Sequence, residues 1–306
     1  MDGIKLSAVI EDATAYLEAS KLNHYYEIDT NGCLNDETLN GATKRLYRSI
    51  YKKYKILLNV ISYPDGKNKG YINIYGSLYK SYFGGANYQD YNYSIMKTEI
   101  EELTTHLQIP ASQLKIDRIE IGLNLKFWEK PIEWLENSLI LYKDKEFSRY
   151  EKDRKSKKEI GYYCTLSQSQ IKIYDKSYQY DLDNYLLRYE VKITKMQKLR
   201  EYGIFTLDDL LCNAKMNNLM QLLSQSWGNV LINDNANSSK LSPKEQSLIE
   251  AGSNPKYWLR VKNTRNYRVY KYQRDRFVML NKKYGLKAHD KLKKLLEEEW
   301  LSFMEN

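Results

Sequence analysis

The sequence predicts an α+β fold, in which a central antiparallel sheet carries helices on one face and a helical C-terminal domain follows. Two runs carry most of this prediction, because residues 171–179 and 187–193 alternate apolar and polar side chains with the period of a half-buried strand. Predicted strands and helices are interspersed through the first two thirds of the chain, and the last third has only helical patterns. This arrangement leaves the second face of the sheet free for a ligand.

Local patterns predict the individual elements along the chain. Period-two alternation indicates strands at residues 54–63, 71–76, 113–127, 161–166, 170–176 and 185–193. Apolar residues at helical spacing predict helices at residues 4–22, 94–107, 131–142, 195–202, 207–226 and from 242 onward. The turn Pro64-Asp65-Gly66 closes the first hairpin, and Pro131 suits a first helical turn. The mixed-charge run 143–159 favours a solvated loop or exposed helix, and residues 233–240 favour a linker or loop.

The composition is that of a soluble globular protein with a substantial core. The 306 residues are 42% hydrophobic and 28% charged. No run approaches the length of a membrane span, and residues 1–20 lack the apolar core of a signal peptide. Cys33, Cys164 and Cys212 are far apart and give no zinc or disulfide pattern, which indicates a reducing compartment. We therefore expect a cytoplasmic protein without a membrane partner.

The positive charge is concentrated near the C-terminus. The chain has a net charge of +9, whereas residues 256–294 alone carry +12 and the tail 295–306 carries −4. Basic residues recur there at helical spacing, at Arg265, Arg268, Lys271, Arg274 and Arg276. Their density predicts contacts with DNA phosphates, while core packing is the expected role of the aromatic rings between them. The sequence thus predicts two domains, residues 1–230 with the sheet and residues 240–306 as a basic helical DNA-binding domain.

Polar side chains share one face on each of three predicted strands. These faces carry Arg118, Glu120, Gly122 and Asn124; then Lys172, Tyr174 and Lys176; then Arg188, Glu190 and Lys192. Glu120 and Asn124 have oxygen atoms of the kind that Mg²⁺ or Mn²⁺ accepts, although that strand taken alone favours an ordinary solvated face. Lys80 lies between two glycine-bearing segments and is a candidate contact for a phosphate.

The scarcity of histidine limits the catalytic chemistry. His24, His106 and His289 are isolated in the sequence, which excludes a His-hydrophobic-His metal motif and disfavours a His-dependent triad. No dinucleotide, phosphate-loop or zinc motif is present. The remaining options are a carboxylate–metal site and a tyrosine nucleophile that attacks a phosphodiester and holds the 5′ phosphate.

Six short motifs follow one another in the middle of the chain. They are Gly-Ser-Leu-Tyr-Lys (76–80), Gly-Gly-Ala-Asn (84–87), Arg-Ile-Glu-Ile-Gly-Leu-Asn (118–124), Gly-Tyr-Tyr-Cys (161–164), Ile-Lys-Ile-Tyr-Asp-Lys (171–176) and Leu-Arg-Tyr-Glu-Val-Lys (187–192). Their order and spacing resemble phage and plasmid replication initiators of the filamentous-phage gene-two type, over roughly residues 54–215. The resemblance implies a rolling-circle nickase in a bacterial host, which cuts one DNA strand through a tyrosine and leaves a 3′ hydroxyl. A host polymerase and helicase are then expected partners.

The same resemblance implies a metal site and a DNA contact. Glu120 matches the acidic metal position, Asn124 matches a position that is often Asp, and Glu190 is the acid of the Arg-x-Glu strand. The implied cofactor is Mg²⁺ or Mn²⁺. Arg188 on the Arg-x-Glu strand and Lys80 are the expected DNA contacts within the sheet domain.

The resemblance leaves three candidates for the nucleophile. Tyr163 or Tyr162 matches the tyrosine-bearing strand, and Tyr174 and Lys176 match the Tyr-Asp-Lys strand. Because adjacent residues on a strand face opposite ways, only one of Tyr162 and Tyr163 can face the site. Its position relative to Tyr174 favours Tyr163.

Two other functions stay open on sequence alone. The strand segment Glu190-Val191-Lys192 resembles the Glu-x-Lys of restriction-type nucleases, which cut without a covalent intermediate, with Asp175 or Asp181 as the second acid. A non-catalytic DNA-binding protein would account equally well for the basic region.

Overall fold

The computed structural model describes residues 3–20, 26–28, 42–151 and 158–305, and it has an α+β fold with a large antiparallel sheet. The strands are β1 Ile4–Ile10, β2 Tyr26–Ile28, β3 Thr43–Tyr51, β4 Tyr54–Ser62, β5 Asn68–Gly76, β6 Lys115–Lys126, β7 Leu139–Tyr142, β8 Lys145–Glu146, β9 Ser148–Glu151, β10 Glu159–Thr165, β11 Ser169–Asp175, β12 Leu186–Ile193 and β13 Val230–Ile232. The helices are α1 Ala13–Ala19, α2 Leu78–Phe83, α3 Tyr93–Leu107, α4 Pro131–Ser138, α5 Lys176–Tyr180, α6 Gln197–Arg200, α7 Asn213–Trp227, α8 Pro243–Gly252, α9 Pro255–Thr264, α10 Tyr267–Tyr284 and α11 Ala288–Glu305.

The chain divides into two compact units that are not consecutive in sequence. The first unit contains residues 1–121, 192–219 and 302–306, and the second contains residues 122–191 and 220–301. Strands β6 and β12 therefore each contribute to both units. The division predicted from sequence, into residues 1–230 and 240–306, does not coincide with these units, because helices α8 to α10 group with residues 122–191.

The first unit is built on antiparallel strands in the order β2-β3-β4-β5-β1-β6. The hairpin between β4 and β5 turns at Pro64-Asp65-Gly66, as predicted, with Gly66 at φ +84°, a conformation that glycine adopts without a steric penalty. Alternate residues of β1, β4 and β5 are buried, and Tyr54 on β4 donates a hydrogen bond of 3.1 Å to Glu99 on α3. The unit thus has a sheet-and-helix core of its own.

The second unit has strands in the order β6-β12-β11-β10-β9 and a small sheet in the order β13-β7-β8. Strand β12 buries both of its faces, and its Tyr189 packs edge-on against Trp227 at 5.6 Å between ring centroids. Seven buried residues form a hydrophobic cluster, which we call the helix–strand cluster: Ile140, Leu141, Leu231, Trp258, Val261, Tyr270 and Phe277. Because this cluster joins β7 and β13 to α9 and α10, the basic helices belong to the core of this unit.

Three predicted elements differ from the structure. The helix expected at residues 4–22 is strand β1 followed by α1, since Ile4, Leu6 and Ala8 are buried with period two. The helix that begins at Pro131 ends at Ser138, and the short apolar run after it forms β7. The charged run 143–159 contains strands β8 and β9 and the start of β10.

No helix among the described residues is long and apolar enough to cross a membrane. Cys164 is buried and Cys212 is exposed, and both are free thiols. Cys33 and His24 lie outside the described residues.

Candidate active site

Five polar side chains meet on one face of the sheet in the second unit, and we call them the polar row. They are Asn124 on β6, Arg188 and Glu190 on β12, and Lys172 and Tyr174 on β11. The alternation seen in sequence places them there, because residues two apart on a strand point to the same side. The adjacency of β6, β12 and β11 then brings together residues that are up to 66 positions apart in the chain.

Glu190 lies at the centre of the polar row and is paired with two cations. The Lys172 Nζ is 2.7 Å from Glu190 Oε1, and the Arg188 Nε is 3.3 Å from Glu190 Oε2. The Tyr174 hydroxyl donates to Glu190 Oε2 at 3.5 Å, and the Arg188 Nη1 donates to Asn124 Oδ1 at 2.7 Å. The row is therefore a continuous hydrogen-bonded network across three strands.

The network is withdrawn from water. Arg188 is 1% exposed and Glu190 2%. The ring of Tyr150 on β9 lies edge-on to that of Tyr174, with 5.2 Å between the ring centroids. The Lys172 Nζ lies 5.6 Å from the centroid of the Tyr150 ring. Ion pairs in such a medium interact more strongly than on the surface, and removing one partner of a buried pair costs about 3–5 kcal/mol. The sequence predicted a face left free for a ligand, but at β12 neither face is open.

Gly122 makes room for Arg188. A Cβ at this position would lie 2.9 Å from Arg188 Nη2 and 2.9 Å from the backbone oxygen of Tyr189. The space beside Gly122, between Glu120 and Asn124 on the same strand, is thus filled by the guanidinium of Arg188.

Replacing Gly122 by Ala should therefore destabilise the second unit by roughly 1–3 kcal/mol, because an added methyl group in a filled site forces the backbone to move. All five tryptophans of the chain lie in the second unit, so urea unfolding followed by tryptophan fluorescence reports on this unit. The matched control is Gly228→Ala, since a Cβ there would make only an ordinary contact of 3.5 Å with Gln225. Equal unfolding free energies for the two variants would contradict this account of Gly122.

Of the two adjacent tyrosines on β10, Tyr163 shares the face of the polar row. In the antiparallel pairing of β10 with β11, Tyr163 lies opposite Lys172 and Tyr162 lies opposite Ile173. Tyr163 contacts the ring of Tyr150 edge-on at 6.4 Å. Tyr162 faces the other side, where burial raises its pKa above the ordinary value and Arg149 lies 6.0 Å from its ring centroid. The hydroxyl of Tyr163 is thus the one directed to the side of Lys172 and Glu190.

Lys176 differs from its predicted position on a strand. It is the first residue of α5, which Asp175 caps by accepting a hydrogen bond of 2.8 Å from the backbone of Tyr178. The Lys176 side chain is 1% exposed, and its Nζ lies 5.3 Å from the ring centroid of Tyr174 and 4.9 Å from that of Tyr180. It therefore adds a buried cation beside Tyr174.

The predicted metal ligands do not form a cation site as they are arranged. Glu120 is in the first unit, where the Lys192 Nζ lies 2.7 Å from its Oε1. Glu190 is held by Lys172 and Arg188, and Asn124 Oδ1 accepts from Arg188. Among the described residues no three acidic, histidine or cysteine side chains are grouped to hold a metal. A donor set already paired with lysine and arginine does not fit a divalent cation.

Lys172 and Tyr150 belong to the site but were not among its predicted residues. Lys172 shares the pattern of Tyr174 in sequence, but only the sheet order brings it to Glu190. Tyr150 lies in the charged run that predicted a loop, where no sequence signal indicated β9. Lys80 lies in α2 of the first unit, and its backbone N–H donates to Ser77 Oγ at 3.1 Å.

The basic residues of the C-terminal region have two different environments. Arg265, Arg268 and Lys271 are exposed on or next to α10. Arg276 forms an ion pair with Glu245 on α8, and Arg274 lines a cavity.

The aromatic rings on α10 are divided in the same way. Tyr270 and Phe277 are buried in the helix–strand cluster, as predicted. Tyr267 and Tyr272 are 71% and 70% exposed, contrary to the expectation that the rings pack in a core. An exposed face with both arginine and tyrosine suits phosphate contacts together with base stacking.

Comparisons with protein-family models, with characterised proteins and with solved structures gave no match for this chain.

Proposed function

We propose that the protein nicks one DNA strand at a replication origin through Tyr163, forming a 5′-phosphotyrosine and starting rolling-circle replication. One observation carries this proposal: Tyr163 lies opposite Lys172 on β10 and β11, on the face where Lys172 and Arg188 are paired with Glu190. A hydroxyl nucleophile with a lysine across from it suits attack on a phosphodiester, because the ammonium can meet the negative charge that develops on the phosphate.

The proposed step is an in-line displacement at phosphorus. The Tyr163 oxygen forms a bond to the phosphorus atom, and the bond from phosphorus to the 3′ oxygen breaks. The tyrosine proton passes to solvent or a nearby base, and the leaving 3′ oxygen takes up a proton. The DNA then has a free 3′ hydroxyl, which a host polymerase can extend with a helicase opening the duplex, and the reverse step rejoins the strand.

The cations of the polar row have a defined part in this step. Negative charge builds up on the phosphate oxygens as the Tyr163 oxygen attacks, and preorganised donors that meet this charge lower the barrier. Lys172 is the cation opposite Tyr163, while Arg188 and Lys176 hold Glu190 and Tyr174 in place from either side. We therefore assign Lys172 to the phosphate and the other two to positioning.

The exposed face of α10 is the proposed surface for duplex or single-stranded DNA. Changing Arg265, Arg268 and Lys271 together to Gln should weaken binding and flatten its salt dependence, since the slope of log K against log salt falls by about 0.9 for each duplex phosphate that the protein no longer neutralises. Fluorescence anisotropy over a salt series measures this slope. The control is a triple change of three exposed lysines in the first unit, Lys44, Lys53 and Lys55. The same slope for wild type and the α10 variant would refute this surface.

The requirement for Mg²⁺ or Mn²⁺ stays a prediction from the sequence. The polar row as arranged offers no free carboxylate, because Glu190 is paired with Lys172 and Arg188. A metal at Glu190 would have to displace at least one of these cations. Assays with each metal and with excess chelator therefore belong in the first test of activity.

A metal-dependent nuclease without a covalent intermediate is the first alternative. Its Glu-x-Lys pair would be Glu190 and Lys192, which do lie on one strand two residues apart. The proposed second acids are engaged elsewhere, since Asp175 caps α5 and Asp181 pairs with Lys158 at 3.1 Å. The second alternative is a non-catalytic DNA-binding protein, which the exposed face of α10 would serve equally well.

One experiment separates these three functions. The protein is incubated with supercoiled DNA that carries its own gene, with Mg²⁺, with Mn²⁺ and with chelator, and the products are resolved after denaturation. We expect nicked circles with protein attached to the 5′ end of the break. Nicked circles without attached protein would favour the metal-dependent nuclease, and intact DNA under every condition would favour the binding protein.

A further inference from the structure

A cavity of about 300 Å³ lies within the second unit, apart from the polar row. Part of its wall is apolar and comes from Val230 and Ile232 on β13 and Val278 on α10. The charged side chains that line it are Arg274, Lys282, Lys287, Lys293, Asp234 and Asp290. Its volume is at the lower end of the range for ligand pockets, and basic groups outnumber acidic ones on its walls.

Both acidic groups at this cavity already have partners. Asp234 is 4% exposed, and its Oδ1 accepts a hydrogen bond of 2.9 Å from the backbone N–H of Ala288, at the start of α11. Asp290 Oδ2 lies 3.9 Å from the Nζ of Lys282. Neither carboxylate is paired with Arg274.

Arg274 is the side chain at this cavity that most needs an anion. Its Nε atom is buried and has no hydrogen-bond partner among the described residues. Two residues further along the same helix, Arg276 has Glu245 as its partner. The rest of the Arg274 guanidinium likewise has no ion pair or hydrogen bond to a described residue, so its terminal nitrogens at the cavity wall can donate to an anion.

We propose that this cavity binds a nucleotide, with its phosphate on Arg274 and its base against the apolar wall. Lys287 and Lys293 lie on the same cavity and add positive charge for the phosphate. Arginine presents its donors in a planar fork that matches two phosphate oxygens, and Val230, Ile232 and Val278 suit the uncharged ring. The ligand is either a free nucleotide or one unit of a DNA strand, and only the second source rests on the proposed function.

Isothermal titration calorimetry of the full chain tests the site with three probes: dTMP, inorganic phosphate and a short oligodeoxythymidylate. We expect dTMP to bind more tightly than phosphate, because the apolar wall contributes. Arg274→Gln should weaken dTMP binding by about tenfold or more, as expected for loss of a charge-assisted hydrogen bond. Arg274→Lys should recover part of the affinity, because it keeps the charge but not the fork.

The matched control is Arg200→Gln, which makes the same change of charge at an exposed position on α6. Thermal unfolding of each variant verifies that it is folded before its affinity is compared. Loss of oligonucleotide binding in Arg274→Gln alone, with no binding of dTMP, would assign the site to a unit of a DNA strand. Absence of saturable binding to both ligands, equal losses in Arg274→Gln and Arg200→Gln, or phosphate binding as tight as dTMP would each overturn the proposal.

This measurement does not depend on strand cleavage. A protein that binds dTMP through Arg274 but never forms an adduct with DNA would refute the proposed nicking activity and leave the nucleotide site intact. A protein that nicks DNA but shows no dependence of nucleotide binding on Arg274 would do the opposite.

Discussion

Replacing Tyr163 by Phe is expected to abolish the covalent protein–DNA adduct and to slow strand cleavage by about a thousandfold or more, the scale seen when a nucleophile is removed. The substitution deletes the attacking oxygen and keeps the ring, whose edge contact with Tyr150 at 6.4 Å remains possible. DNA affinity should be nearly unchanged, because the exposed residues of α10 are untouched. Labelled DNA resolved on a denaturing gel, with and without protease treatment, measures both the nick and the adduct.

The adjacent tyrosine provides a close control. Tyr162→Phe removes the same atom one residue away, on the opposite face of β10, and it should leave the adduct intact. Tyr174→Phe should reduce cleavage without abolishing it, because it removes a hydrogen bond of 3.5 Å to Glu190 and not the attacking group. Normal cleavage by Tyr163→Phe, with loss in one of the other two, would move the nucleophile. Normal cleavage by all three would refute the mechanism at this site.

The faces of the site strands could be predicted from sequence, but their neighbours could not. Period-two alternation correctly placed Lys172 with Tyr174 and Arg188 with Glu190, because residues two apart on a strand share a face whatever the rest of the fold. The contact of Arg188 with Asn124 joins residues 64 positions apart and depends on which strands are adjacent. Nothing in the alternation specifies that β6, β12 and β11 lie side by side.

The loop that joins β10 to β11 determines which of Tyr162 and Tyr163 lies opposite Lys172. The backbone N–H of Leu166 donates to the carbonyl of Ser169 at 2.7 Å, so Ser167 and Gln168 form a two-residue loop between β10 and β11. A two-residue hairpin loop fixes the register, and that register puts Tyr163 opposite Lys172. Ser-Gln is not one of the dipeptides that mark such a turn, so the sequence pattern does not specify this register.

The C-terminal helices show where charge patterns mislead. The net charge of +12 on residues 256–294 indicated a region separate from the sheet. An amphipathic helix, however, exposes its charged face to solvent and buries its apolar face in a core. Trp258 and Phe277 pack with Leu141 of β7, more than a hundred residues earlier in the chain. Only the tertiary contact tells a packed helix with a charged surface from a detached arm.

Trp258→Ala is expected to destabilise the second unit by about 3–5 kcal/mol, the cost of removing a large aromatic side chain from a packed core. Trp258 is 0% exposed, and its indole N–H donates to the carbonyl of Gly252 at 2.7 Å. Its ring meets Phe277 edge-on at 5.3 Å. The change therefore leaves a cavity and an unsatisfied carbonyl in the helix–strand cluster. Urea unfolding followed by the remaining tryptophans measures the loss, and Tyr272→Ala on the exposed face is the control, with a change within about 0.5 kcal/mol.

Truncation after Asn254 removes helices α9, α10 and α11 and tests whether the second unit folds without them. A separate C-terminal domain, as the sequence predicts, would leave the sheet folded when these residues are removed. The truncated chain would instead expose Ile140, Leu141 and Leu231, which have their partners on α9 and α10. We therefore expect the second unit to lose its cooperative tryptophan transition. A truncated protein that keeps this transition, together with a small effect of Trp258→Ala, would show that residues 240–306 form a separable domain after all.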